Sequence, residues 1–498
     1  MVAAKLRVES RDQAGGHVIP ARFYLTDAAG KQYSPAGAIT YDKREEHHFI
    51  SAGVFDIEIP PGPYTLTCER GPEYRAYTTS IEAQAGDERT ITVSLVRWID
   101  MNQHGWYSGD LHNHRPIAQM PQLLLADDLN LAPTLTEWIW EDRPNSTAPQ
   151  NVTSAIQQVD ATHVFSVFDE EIERLEQGPG AVDLLGLHSV IPFHGYRLYP
   201  PNDEFCKLAQ AQHGYVDLEK IVWRDSAALV ALGLADFAGV VYNHFNRHNV
   251  MFETDPWGMI PKERAEFSTV AGMPLWAMEV YYRFLNCGFR LPVSAGSASG
   301  VMAAPLGYNR VYVKLSEPFR YESWFRALKS GRSFGTNGPM LFLTVNGKEP
   351  GEELRLPEGA AVPLRIQAGA SSAGTLDRLE ILFKGRVIKT ASARDAQGKL
   401  SAEFDFPVRE TGWLAARAFE KPGTTIHFAH TSPVYVRRRG SSGLVAQDAR
   451  YCINWMDREI AFYQKEPGFR SAEDRQAMIA FFNKARAVYE NLGRRASA

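Results

Sequence analysis

Residues 108–114 read Ser108-Gly109-Asp110-Leu111-His112-Asn113-His114. On an extended chain, side chains at i and i+2 share a face, so Asp110, His112 and His114 are placed to converge. Two imidazoles beside a carboxylate are the donor set of a zinc, manganese or iron site. What flanks the string decides the fold it belongs to. Upstream, short alternating segments recur at 6–9, 22–25, 54–59, 64–67 and 90–95. Asp27-Ala28-Ala29-Gly30-Lys31 and Pro60-Pro61-Gly62-Pro63 punctuate them as turns. Short strands at this spacing predict a β-sandwich over 1–98. In it, His47-His48 reads as a solvated pair.

Downstream the pattern alternates between helix and strand. Helices are expected at 120–128, 225–233 and 322–330, and strands at 129–136, 237–242, 277–282 and 311–315. Such alternation over 99–340 predicts an α/β unit, a mainly parallel sheet or barrel with function at the carboxyl ends of its strands. Seven of the ten tryptophans fall there: Trp106, Trp138, Trp140, Trp223, Trp257, Trp276 and Trp324. They suit a core, or a cleft for an aromatic or sugar-like ligand. Strands return at 341–345, 379–383, 386–390, 413–418 and 434–437, which predicts a second β-sandwich over 341–440. The remainder, 441–498, is a helical tail. Its stretch 471–492 carries apolar residues at 478, 479, 481, 482, 485, 488 and 489, the spacing of an amphipathic helix.

Composition narrows the partners. Fifty-three basic and 58 acidic residues leave a net charge of -5, which argues against a nucleic-acid partner or a polybasic membrane anchor. No apolar run reaches the roughly 18 residues of a membrane-spanning helix. Cys68, Cys206, Cys287 and Cys452 are too far apart for a zinc ribbon and read as isolated buried thiols. The start lacks the apolar core of a signal peptide, so a cytoplasmic protein, or an exported one whose leader was removed, is expected. Neither a phosphate-cradling glycine loop nor a GxSxG elbow is present, so covalent serine catalysis has no support.

The string 108–114 resembles the first motif of the PHP (polymerase and histidinol phosphatase) superfamily, and more closely the carbaryl-hydrolase-like CehA/McbA branch. The run from Tyr281-Tyr282-Arg283 through Pro292-Val293-Ser294-Ala295-Gly296-Ser297-Ala298-Ser299-Gly300 is similar to that branch. So are Pro305-Leu306-Gly307-Tyr308-Asn309-Arg310-Val311-Tyr312-Val313 and Thr336-Asn337-Gly338-Pro339. The likeness covers about residues 100–345. It implies a distorted PHP-like βα barrel flanked by β-sandwich modules, of which the first resembles the carboxypeptidase-regulatory-like sandwich. It also implies a divalent metal and hydrolysis of ester, carbamate or phosphoester bonds.

The family's ligands carry over in part. His112 and His114 match the first motif, and His244, in Val240-Val241-Tyr242-Asn243-His244, matches the middle histidine. An expected Asp-His pair is replaced by Thr136-Glu137-Trp138, a Gly-His by Gly180-Ala181, and the closing Asp-x-His by Ser297-Ala298-Ser299. The bridging carboxylate falls within Asp169-Glu170-Glu171, with Glu173 near. The resemblance thus implies one metal, zinc ahead of manganese or iron, on His112, His114, His244 and Glu170, with an open position for water. Glu171 or Glu137 would take the water's proton, and Tyr308 or Arg310 would stabilise an oxyanion. Glu279 is a further candidate, as a charge inside the apolar strand expected at 277–282.

Arg115, Arg247, His248 and Trp138 are the candidate substrate contacts; for Arg115 a salt bridge to Asp128 or Glu141 is the alternative. His188 and His194 are possible extra ligands or surface groups, and His104 a more distant neighbour. The expectation is a metal-dependent hydrolase of a small molecule, aromatic or carbohydrate in character. The alternatives are a lapsed binding or scaffold protein and a metal-assisted lyase or carbohydrate-active enzyme.

Overall fold

The computed structural model describes residues 2–252, 260, 263–392 and 398–497. The first module is a β-sandwich, as the alternation predicts. One sheet orders Val54–Ile59, Ala4–Asp12 and Glu88–Leu95; the other orders Ile39–Lys43, Glu46–Ser51, Ala21–Asp27, Gly62–Glu69 and Tyr77–Ala83. Inward positions of both sheets (Leu6, Val8, Phe23, Leu25, Phe49, Ile57, Leu66, Val93) form its core. His47 reaches Asp42 at 2.6 Å near the surface, whereas His48 is buried on Glu46 at 2.6 Å and so is not solvated.

Three sheets build the rest, the smallest of them ordering Met340–Val345, Val362–Ser371 and Lys399–Val408. A seven-stranded sheet orders Arg143–Ser146, Leu135–Trp140, Asp169–Arg174, Gly180–Leu185, Tyr215–Leu218, Phe237–Val241 and Val293–Ala295. It is mixed rather than mainly parallel, because Gly180–Leu185 runs antiparallel to both neighbours. The second sheet contains Trp106–Gly109, Leu131–Ala132, Val164–Ser166, Arg310–Lys314 and Ser333–Thr336. It continues without a break into Phe428–Thr431, Gly412–Glu420, Leu376–Phe383 and Arg386–Ser392. The expected boundary at 340 is therefore crossed by hydrogen bonds, Phe334 pairing with Thr431 and Thr336 with Ala429. A shared core of Trp106, Tyr312 and Phe334 with Leu341, Leu364, Ile381 and Val434 seals it.

Two local expectations change. The stretch expected as a strand at 129–136 is divided into Leu131–Ala132 and the start of Leu135–Trp140, because the chain passes from one sheet to the other there. The stretch 277–282 is not a strand but part of the helix Met273–Asn286, buried except along a stripe of Leu275, Glu279 and Arg283. A short apolar run carries no period of its own, and only two charged residues mark the exposed side. Trp257 lies outside the described residues. The tail forms two helices, Ala446–Lys465 and Ala472–Ser497, packed on Ser226–Ala231; Tyr489 Oη donates to the Ala227 carbonyl at 2.7 Å. No helix among the described residues is long and apolar enough to cross a membrane. All four cysteines are buried and unbridged.

Candidate metal centre

Strand Trp106–Gly109 ends at Gly109, so residues 110–114 form a loop beyond its carboxyl end. Asp110 does not join the histidines. Its carboxylate accepts the backbone N–H groups of His112 (3.2 Å), Ser297 (2.9 Å) and Gly307 (2.7 Å), and so pins three loops together. The histidine loop lies along 295–300: Ala298 N–H donates to the His112 carbonyl and His114 N–H to that of Ser299, both at 2.8 Å. Small residues are required there. A Cβ on Gly296 would sit 2.4 Å from the His112 Cβ, and Gly300 adopts φ +106° with the His114 carbonyl 2.7 Å from where its Cβ would be.

The acidic side comes from sheet register. Trp138 is paired with Glu171, Glu171 with Asp183, and Asp183 with Asp217, across four adjacent strands. Directly paired residues project to the same face. This row therefore faces the histidine loop, with Glu173 two residues along. Glu171 meets both imidazoles: Oε2 lies 3.0 Å from His114 Nε2 and Oε1 lies 3.4 Å from His112 Nε2. The two Nε2 atoms are 3.1 Å apart. One ligand atom from each of the three residues fits within 4.8 Å of the others, which suits a shared metal ion. Trp138 covers His114 with its ring (centroids 5.2 Å apart) and donates Nε1–H to Glu173 at 3.1 Å.

The other nitrogen of His112 faces more carboxylates. Nδ1 lies 3.4 Å from Glu219 and 3.5 Å from Asp183. Glu219 is held by the Lys220 ammonium and by Trp223 Nε1–H. Asp183 is wholly buried, and neither of its oxygens has a hydrogen-bond partner among the described residues. Burial pushes its carboxyl well up, and His112 Nδ1 faces it. Two imidazoles and the Glu171 carboxylate, with ligand atoms within 4.8 Å of one another, are the donor set that fits a divalent ion.

Burial would lower the proton affinity of His112, but Asp183, Glu171 and Glu219 outweigh it and hold the ring well above the ordinary histidine range. Glu171 is driven the other way: His112 and His114 overcome its burial and keep it ionised. Burial and the nearby Glu171 charge push Glu173 up to about 8, and burial takes Asp217 to about 7. His244 is buried beyond strand Phe237–Val241, and burial, Lys220 and His112 together keep its ring neutral. It thus belongs to the same electrostatic neighbourhood.

The remaining expected residues sort by position. Glu170 and Glu137 are paired with each other on the opposite face of the sheet. Glu170 accepts the Ile191 N–H at 3.1 Å, and its carboxyl is raised to about 8 by burial and the neighbouring Glu137. The group that could hold a metal ion thus takes in Glu171 and not the expected Glu170, and Glu137 lies on Glu170's face of the sheet. Glu279, on a helix rather than a strand, pairs with Arg283 at 2.5 Å and Arg264 at 3.3 Å near the surface.

Arg310 is buried and spends its guanidinium on the carbonyls of Gly307, Asp127 and Asp128. Tyr308 reaches His427 at 3.1 Å. Both line a cavity of about 140 Å³ with Arg22, Glu69 and Arg247, apart from the three-residue group. Arg247 binds Glu69 at 2.7 and 2.8 Å, and His248 meets Glu46 at 2.9 Å, so both dock the first module. Arg115 pairs with neither Asp128 nor Glu141: it donates to Gln119 at 2.8 Å and stacks over Tyr41. His188 and His194 are exposed, and exposed His104 packs on Phe342.

Asp183, Asp217, Glu219 and Lys220 escaped sequence reading. The signal was present for the first two: each is a charge inside an apolar strand, where it is seldom idle. No protein-family model matches the chain, and no curated protein matches it. Among solved structures it is similar to the Bacillus anthracis TIE protein, with 18% identity, a TM-score of 0.16 and coverage of 24% of this chain and 20% of that one. It is also similar to the Streptococcal ancillary pilin, with 16% identity, a TM-score of 0.16 and coverage of 23% and 37%. The matched region thus spans well under half of either protein.

Proposed function

We propose that the chain is a metal-dependent hydrolase acting on an ester, carbamate or related bond of a small molecule, and that the two sheets around the site are an open form of the βα barrel of PHP-like hydrolases. The observation that carries the reading is the convergence of His112 Nε2, His114 Nε2 and a Glu171 oxygen on one point. His112, His114 and Glu171 would hold a divalent ion there, and it would supply a Lewis acid that activates water near neutral pH.

The chain's residues do the rest. Glu219 and Asp183 set negative charge 3.4 and 3.5 Å from His112 Nδ1, which favours a proton on that nitrogen and leaves Nε2 for the centre. Asp110 holds the loop carrying both histidines against 295–300. Trp138 shields His114 from water and keeps Glu173 on the same face as Glu171.

Metal analysis of protein purified without a histidine tag tests this. About one zinc, manganese or iron per chain is expected, lost in His112→Ala and in His114→Ala, together with hydrolysis of aryl esters or carbamates. A folded, metal-free wild type would sink the hydrolase reading in favour of an inert binding module. Metal-dependent turnover of glycosides but not of esters or carbamates would redirect it to a carbohydrate-active enzyme.

A further inference from the structure

Five carboxyl groups crowd one side of the sheet: Glu171, Glu173, Asp183, Asp217 and Glu219, all but wholly buried save Glu173. Two of them, Glu171 and Asp183, are directly paired across adjacent strands. Asp183 brings both oxygens into this cluster without a hydrogen-bond donor among the described residues. Ser294 Oγ satisfies Asp217 at 2.6 Å, so Asp217 is accounted for. Beside Glu219, the chain places a full positive charge. Lys220 is 2% exposed, and its Nζ binds both Glu219 oxygens, one of them at 2.6 Å. The Trp223 ring lies 4.9 Å from Nζ, and its N–H donates to Glu219 Oε1, which also accepts from Lys220. Lysine is seldom fully buried, and one held this firmly has a charge to balance.

We propose that the Lys220 ammonium fills the place of a second cation in this cluster, confining the centre to one divalent ion at His112, His114 and Glu171. An ammonium neutralises carboxylates as a metal does, but it donates hydrogen bonds and offers no coordination sphere. It occupies both oxygens of Glu219, which stands with Asp183 on the Nδ1 side of His112. Removal of the charge leaves Glu219 and Asp183 together there, with Glu173 on the same side of the sheet. Three carboxylates with several free oxygens form an oxygen-rich site for a hard divalent ion such as manganese.

This inference rests on the metal reading above, and the experiment separates the two. Wild type, Lys220→Met and Lys220→Arg are equilibrated with MnCl2, freed of excess metal by gel filtration and assayed for bound manganese per chain. One ion is expected in wild type and in Lys220→Arg, and two in Lys220→Met. None in wild type overturns the metal reading and this inference together. Two in wild type, or one in Lys220→Met, overturns this inference alone. If Lys220→Met does not fold, the manganese EPR spectrum of the loaded wild type decides: an isolated six-line signal supports the assignment, and an exchange-coupled pair sinks it.

Discussion

Glu170 and Glu171 are neighbours on one strand, and alternation sends them to opposite faces of the sheet. Glu171 meets two imidazoles, while Glu170 meets a backbone N–H and the apolar side of the strand. Their substitutions should therefore separate cleanly. Glu171→Gln is expected to weaken metal binding by well over the roughly tenfold loss typical of an outer partner. Glu170→Gln should leave it unchanged, because burial already favours the neutral carboxyl there. Calorimetric titration of apo protein with zinc measures both; equal losses would return Glu170 to the ligand set. The pair of histidines was legible in the sequence because i and i+2 share a side even where the strand gives way to a loop. The choice between two adjacent glutamates was not, because the face that a strand turns to the site depends on register with Leu135–Trp140 and Gly180–Leu185.

At the scale of elements, the site is the meeting of two loops. Residues 110–114 and 295–300 lie backbone to backbone, and Gly296 leaves room for the His112 Cβ. Gly296→Ala forces the two chains apart. Overpacking of this kind costs about 1–3 kcal/mol. The variant should show a lower melting temperature and, because His112 moves, weaker metal binding than Gly369→Ala, whose added Cβ meets nothing closer than 4.0 Å. Equal metal affinity in the two variants would show that the close approach does not position the histidine. The serine- and alanine-rich closing stretch reads in sequence as missing ligands. In the structure it serves as the partner strand of the histidine loop, a role carried by backbone groups that no ligand pattern encodes.

At the scale of the whole molecule, the first β-sandwich is fastened to the αβ body by charge. Glu69 bridges Arg22 at 2.8 Å and Arg247 at 2.7 Å, Arg22 also meets Asp127, and Asp128 binds Arg70 and Arg97. Burial pushes the Glu69 carboxyl up, but Arg247 and Arg22 outweigh it and bring it to about 2. A carboxyl lowered by folding contributes stability that is present above its unfolded value, about 4.3, and lost as pH falls through its folded value. Docking should therefore hold at neutral pH and weaken between about pH 4 and pH 2. Glu69→Gln removes one charged partner from each of two arginines, which keep Asp127 and Glu46, at a cost of about 1–3 kcal/mol at neutral pH. Thermal unfolding at neutral pH with limited proteolysis near residue 98 would detect it; an unchanged melting temperature and cleavage pattern would show that the module is held by other contacts.

The amino-acid sequence by itself determined the order of β, αβ, β and helical segments, since alternation and turn residues are local properties. It also marked His112 and His114. The helix at 273–286, the sheet that joins Ser333–Thr336 to Phe428–Thr431 across the expected boundary, and the assembly of Glu171, Asp183, Glu219 and Lys220 around those histidines were decided only by tertiary structure. Burial of most of a helix's surface blurs the periodicity by which it is recognised. Strand register, set by pairings between residues far apart in the chain, then chooses which of many carboxylates share a face.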